Sequence, residues 1–209
     1  MGELLLIRHG ETEWSRTGRH TGRTDVPLTA RGREQAGALR PLLAGRRIAL
    51  VLSSPLGRAR ETAELAGLPE AVLEPDLREW DYGGYEGLTT EEIRRTRPAW
   101  SLWSDGVPPG AEGPGEDACA VAARVQRVLA FADRTLRGHG PEDPGDVVLV
   151  AHAHVLRVLT ARRLGLPPSA GALFQLGTAS LGSLGTEHDR PVLTGWNTVP
   201  VAALAATGA

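Results

Sequence analysis

Short, wholly apolar runs alternate along the chain with longer stretches in which apolar positions recur every three or four residues. Leu4–Ile7, Ala49–Leu52 and Val147–Ala151 are continuous apolar runs, the pattern of strands covered on both faces. Ala71–Leu73 is a shorter third strand in chain order. Thr29 can cap a helix over Ala30–Leu43, whose Ala36, Leu39, Leu42 and Leu43 fall at helical spacing. Pro55 introduces a helix over Leu56–Leu65, and Thr90–Ile93 opens a short one. Asp117–Leu136 carries Val121, Val125, Val128, Leu129 and Ala132 on one helical stripe. His154–Leu164 is helical and stops before Gly165 and Pro167. The tail offers two candidate strands, Leu173–Leu176 and Pro191–Thr194. Segments 9–27 and 104–115 read as loops, the second rich in Gly and Pro. Strand–helix alternation predicts an α/β fold, a mostly parallel central sheet with helices on both faces. No repeat or linker divides the chain, so residues 1–209 are expected to form one domain.

Composition narrows the chemistry. All 23 basic residues are Arg and none is Lys, which excludes a Schiff-base lysine and the lysine of a phosphate-binding Walker loop. Any anion site is therefore built from Arg, His and backbone amides, and Arg grips phosphate oxygens with a rigid donor fork. One cysteine, Cys119, leaves no disulfide framework and no cysteine-based metal cluster. A net charge of −2 argues against nucleic acid as a partner. No apolar run approaches the roughly 20 residues that span a bilayer, so no membrane partner is expected. The opening MGELLLIRHG has too short an apolar run for a signal peptide, and the expectation is a soluble, cytoplasmic protein.

In such sheets the reactive residues lie just past the carboxyl ends of strands. The first strand ends in Arg8-His9-Gly10-Glu11-Thr12. The second ends in Ser53-Ser54-Pro55, with Arg58 and Arg60 a turn further on. The strongest strand ends in His152-Ala153-His154. Any one of these is ordinary surface chemistry. Three together put imidazoles and guanidiniums at one sheet edge, where neutral imidazole can attack phosphorus and cations can stabilise its equatorial oxygens.

Four ordered motifs carry a resemblance: LLLIRHGETEW, SSPLGRARETA, LREWDYGGYEG and VLVAHAHVLR. Together they resemble the histidine phosphatase superfamily, also called phosphoglycerate-mutase-like, with its three-layer α/β/α fold. The segment TEWSRTGRHTGRTDVPLT is closer to the branch with small-molecule acid phosphatases and a sedoheptulose bisphosphatase. The resemblance implies His9 as the nucleophile that becomes phosphohistidine. It implies Arg8 and Arg58 as phosphate-binding arginines, His152 as the second phosphate-pocket histidine and Glu79 as proton donor to the leaving oxygen. It places Thr21 and Gly22 in a substrate-side loop and makes Arg157 a substrate contact. It implies no metal and no cofactor, and a small-molecule phosphate ester as substrate. A homodimer is compatible with the sequence, which does not fix the oligomeric state.

Elementary chemistry agrees with these roles. A nucleophilic His9 presents a lone pair, so its other ring nitrogen should donate, to a backbone carbonyl. An alkoxide leaves poorly without a proton. Glu79 can hold that proton in an apolar setting, for which Trp80, Tyr82 and Tyr85 offer a wall. Glu11 and Glu86 compete for this role, Asp81 less so. Two positions depart from the family pattern. Ser15 stands where the family has Asn, with one donor instead of two. Ala153 replaces the Gly after the second histidine, which strains the pocket if that position needs a positive φ. Three rival readings stand beside the phosphatase: a 2,3-bisphosphoglycerate-dependent phosphoglycerate mutase, a metal hydrolase using His152 and His154, and a catalytically weak phosphate-binding module.

Overall fold

The structure, a computed structural model, describes residues 2–111, 113–138 and 145–200; of the expected 1–209 unit, residues 1, 112, 139–144 and 201–209 lie outside the described residues. In chain order the elements are β1 (Leu4–Arg8), α1 (Glu13–Arg16), α2 (Ala30–Gly37), α3 (Arg40–Leu43), β2 (Ile48–Ser53), α4 (Gly57–Leu65) and β3 (Val72–Leu73). There follow α5 (Thr90–Thr96), α6 (Leu102–Asp105), α7 (Ala118–Gly138), β4 (Asp146–Ala151), α8 (Ala153–Arg163), β5 (Leu181–Glu187) and β6 (Arg190–Thr198). Three 3₁₀ turns, Pro75–Leu77, Gly83–Tyr85 and Pro168–Leu173, lie between them.

The six-stranded sheet has the order β3-β2-β4-β1-β5-β6. β3, β2, β4 and β1 run parallel; β5 and β6 extend the sheet antiparallel beside β1. The continuous apolar runs follow from burial on both sides, because successive side chains of a strand point to opposite faces. Leu4 and Leu6 of β1 pack with α7 and α8 on one face. Leu5 and Ile7 pack with α3 and α4 on the other.

Two expectations are corrected. The helix expected over Ala30–Leu43 is capped by the Thr29 hydroxyl, which accepts from Gly32 N, but it ends at Gly37 and resumes as α3. Pro41 is the cause: it lacks an N–H and its ring crowds the carbonyl four residues back. Leu173–Leu176 is not a strand. The edge of β1 it would need is taken by β5, and Pro167-Pro168 sets a 3₁₀ turn that runs into this segment. The strand the pattern missed, β5, reads LGSLGTE. A Cβ on Gly182 would lie 2.8 Å from the Trp196 ring, and one on Gly185 would lie 2.8 Å from Thr194 Cγ2. Side chains of β6 lie across these positions, so they are small where an apolar signal was expected.

The sheet order is what builds a site. β2, β4 and β1 are consecutive neighbours, so their carboxyl ends bring Ser54, His152 and His9 side by side. Ser54 N donates to Val150 O and His9 N to Ala151 O, which fixes all three ends in register.

Candidate active site

His9 lies at the floor of a cleft of about 330 Å³ with Arg8, Ser15, Thr21, Glu79, Ala153 and Arg157 in its walls. Arg58 and His152 are fully buried beneath it. Gly22 is behind the wall: a Cβ there would lie 2.5 Å from Trp80 O, so glycine lets the loop pass over the acid-bearing segment. The structure thus brings together nine of the ten expected residues and makes the tenth a spacer.

His9 Nδ1 donates to Gly10 O at 2.7 Å. A carbonyl only accepts, so the proton is on Nδ1 and Nε2 keeps its lone pair. Burial holds the His9 imidazole well below its ordinary 6.5, with Arg58 and Arg8 adding to the effect. The His152 ring, 5.1 Å from that of His9, is depressed in the same way, by burial first and then by Arg58. Its Nδ1 accepts from Arg58 Nε at 3.1 Å, so its Nε2 proton is given to Ser54 Oγ at 2.8 Å. Both ring nitrogens are therefore engaged, and His152 orients Arg58 instead of pairing with His154 as a chelate. Among the described residues no three His, Cys, Asp or Glu side chains are grouped to hold a metal ion.

Arg58 reaches across to the substrate-side loop, donating to Thr24 O through Nη1 and to Thr21 O and Gly22 O through Nη2. Arg8 donates to Leu176 O at 2.7 Å, while its buried Nε has no partner among the described residues. Such a donor suits a phosphate oxygen. Arg157 holds the Pro168–Leu173 turn, donating to Gly171 O and Ala172 O, and stacks 4.7 Å over the Trp103 ring. Arg60 is exposed and lies along a separate groove with Glu64 and Leu68.

Glu79 is the one carboxylate among the described residues lining the cleft. Its competitors point elsewhere. Glu11 accepts from the Thr29 hydroxyl, Glu86 from Gly22 N and Thr24 N, and Asp81 pairs with Arg23. Trp80 and Tyr82 are buried beside it as expected. Tyr85 does not join that wall: it faces Trp100 and accepts from Arg97. The carboxylate oxygens of Glu79 also accept from three backbone donors, Trp80 N, His154 N and Val155 N. Glu79 thus sits at the amino end of α8, where free N–H groups and the helix dipole hold a carboxylate in place, a polar cradle and not the purely apolar setting expected for it.

The two departures resolve differently. Ala153 is the first residue of α8 and has no positive φ, so the methyl group causes no strain. Ser15 is corrected as a phosphate donor. Its only proton goes to Thr12 O, within a capping box that also has it accepting from Thr12 N. It stays in the wall as a helix-start residue.

Among the further residues that line the cleft are His20, Tyr82 and His154. Tyr82 Oη and His154 Nδ1 share a hydrogen bond of 2.7 Å, and His20 stacks on Tyr82 at 4.7 Å. Burial pushes His20 down to about 4 and His154 well below 6.5. His20 lies inside the TGRHTGRT stretch, so that motif was its signal; His154 and Tyr82 were visible only as a metal candidate and as part of a wall. The imidazoles of this cleft should be neutral at pH 6. Ring nitrogen NMR at that pH should show His9 as the Nδ1–H tautomer and no titration of His9, His152 or His154 near 6.5. A His9 midpoint near 6.5 would contradict the burial argument.

A sequence model of the histidine phosphatase superfamily, branch 1, matches residues 4–199. An acid phosphatase of Mycobacterium tuberculosis is 42% identical over 187 residues, covering 88% of this chain and 87% of that protein. The sedoheptulose 1,7-bisphosphatase of Saccharomyces cerevisiae is 34% identical, covering 78% of this chain and 67% of the relative. A probable phosphoglycerate mutase of Photorhabdus laumondii is 32% identical, covering 94% and 90%. A solved structure of a Mycobacterium tuberculosis open reading frame superposes with a TM-score of 0.87 at 39% identity, covering 95% of this chain and 98% of that one.

Proposed function

The chain belongs to the histidine phosphatase superfamily, and we propose that it hydrolyses small phosphate monoesters through phosphorylated His9, carried out by one domain without a metal. The observation that carries this reading is the shared cleft of His9, with its Nε2 lone pair free, and Glu79, the acid facing it. His9 Nε2 attacks phosphorus, and the bond from phosphorus to the ester oxygen breaks. Arg8 and Arg58 balance the charge on the equatorial oxygens, and Glu79 gives its proton to the leaving oxygen. Water then attacks phosphohistidine, Glu79 takes the water's proton, and inorganic phosphate leaves with His9 restored. His152 acts through Arg58, and Arg157 and Thr21 shape the space for the alcohol portion.

Hydrolysis is favoured over phosphoryl retention by the short cover. Between Gly87 and Asp117 the described elements are only α5 and α6, and the rim at Gly18 and Arg19 is exposed. A mutase has to keep water from its phosphohistidine. The test sets phosphate release from sugar phosphates, sugar bisphosphates and phosphoglycerates beside conversion of 3-phosphoglycerate to 2-phosphoglycerate. Phosphate release should dominate. Fast isomerisation with negligible release would overturn the reading and favour the mutase.

The arginines give a graded expectation. Arg8→Ala and Arg58→Ala should each lower kcat/KM by about 2–4 kcal/mol of transition-state stabilisation, the scale of a lost charge-stabilising donor. Arg58→Lys should recover little, because an ammonium has three donors where Arg58 bonds three loop carbonyls and His152. Arg60→Ala should change kcat/KM less than about threefold, as expected of an exposed side chain away from the site. Equal losses at Arg58 and Arg60 would place the phosphate elsewhere.

A further inference from the structure

A buried arginine binds the backbone carbonyls of the acid-bearing segment. Arg124, on α7, is 9% exposed. Its Nη1 donates to Asp76 O and Arg78 O, both at 2.6 Å, and its Nη2 to Glu79 O at 3.2 Å. Its two remaining donors reach Glu116, Nε to Oε1 at 2.7 Å and Nη2 to Oε2 at 3.0 Å. All five N–H groups of the guanidinium are thereby used. Glu116 completes the grip. Its Oε2 accepts from Asp81 N, its carbonyl accepts from Trp80 Nε1, and its own N–H donates to Asp81 O. Residues 76, 78, 79, 80 and 81 are thus all held by two side chains and one short stretch of backbone.

The segment joins a 3₁₀ turn to another 3₁₀ turn and pairs with no strand between Leu77 and Gly83, so nothing in the sheet fixes the position of Glu79. The Glu79 side chain is held by the amino end of α8, and its main chain by Arg124 of α7. We infer that Arg124 and Glu116 are positioning residues for proton transfer: they set where the Glu79 carboxyl stands relative to the leaving oxygen, without touching substrate. This rests on the reading of Glu79 as the proton donor.

The inference separates from simple structural support through the leaving group. A displaced proton donor slows departure of an alkoxide and matters little for a nitrophenolate, whereas loosened phosphate binding or partial unfolding slows both. The quantity to compare is kcat/KM, which reports transfer to His9 and not the later hydrolysis. Two variants are suited. Arg124→Lys keeps the charge and loses the fork. Glu116→Gln keeps the shape but sets an amide NH₂ against either Arg124 or Asp81 N, both donors. With thermal melting to confirm folding, each should lower kcat/KM for glycerol phosphate by about tenfold or more, and for p-nitrophenyl phosphate by less than about threefold. Inhibition by inorganic phosphate should be unchanged. Equal losses on both esters, or no loss in a folded variant, would overturn the inference; should Arg124→Lys not fold, Glu116→Gln decides alone. Glu79→Gln runs in parallel. If it shows no preference for the aryl ester, the reading of Glu79 itself falls and the positioning role with it. If it shows that preference and the folded Arg124 and Glu116 variants do not, only the positioning role falls.

Discussion

His9→Ala should lower turnover of every phosphate ester by on the order of 10⁴-fold or more while leaving the fold intact. The magnitude follows from removing a nucleophile rather than a helper: the covalent route disappears, and the remaining groups act only as a preorganised cation site. Stability should change little in comparison. Among the described residues the His9 ring makes one hydrogen bond, to the carbonyl of its neighbour Gly10, and the backbone of residue 9 is fixed independently by its N–H to Ala151 O and by the Ala179 N–H to its carbonyl. Product release and melting temperature, measured on the same preparation, check both halves. Substantial turnover in a folded alanine variant would remove His9 from the chemistry.

Glu79→Gln should be the next largest loss, roughly 10²–10⁴-fold on alkyl phosphates, the range of general acid–base catalysis. Glutamine keeps the length and can still accept from some of the three N–H donors, Trp80 N and the two at the start of α8, but it cannot give up a proton and then take one back. The effect on kcat/KM should shrink sharply for nitrophenyl esters, whose leaving group departs as a stable phenolate. The effect on kcat should persist there, because hydrolysis of phosphohistidine still lacks its base. A comparison of the two constants across a leaving-group series tests this. A uniform loss in kcat/KM would mean that Glu79 binds rather than transfers protons.

Much of the site was legible because it is built where buried strands stop. β1, β2 and β4 are covered on both faces, so each is a continuous apolar run whose end is unmistakable, and Arg8-His9, Ser53-Ser54 and His152 are the polar residues that follow directly. β5 was not legible. Its Gly182 and Gly185 are small because Trp196 and Thr194 of a later strand lie over them, and no local pattern carries that information. The break at Pro41 was present in the sequence and was outweighed by the apolar stripe from Ala36 to Leu43. Side-chain direction was the other hidden quantity. Residue type admitted Glu11, Glu79 and Glu86 alike as the acid; what separates them is which partners lie within reach, and these come from residues 18 to 76 positions away. Arg124 is hidden for the same reason, and so is the hold of Arg58 on the substrate-side loop, since each acts on carbonyls of a distant segment.

The most direct test of the central claim is to trap the phosphoryl group on the protein. Wild-type enzyme mixed with a ³²P-labelled ester and quenched in alkaline detergent within a turnover should carry a label that survives base and is lost in acid, and peptide mapping should place it on His9. With an aryl ester, whose transfer to His9 needs little acid help, Glu79→Gln should accumulate more of it, because the second step is slowed, and His9→Ala should carry none. Phosphate release by the wild type with no trappable label under these conditions, or a label on any other residue, would contradict the account.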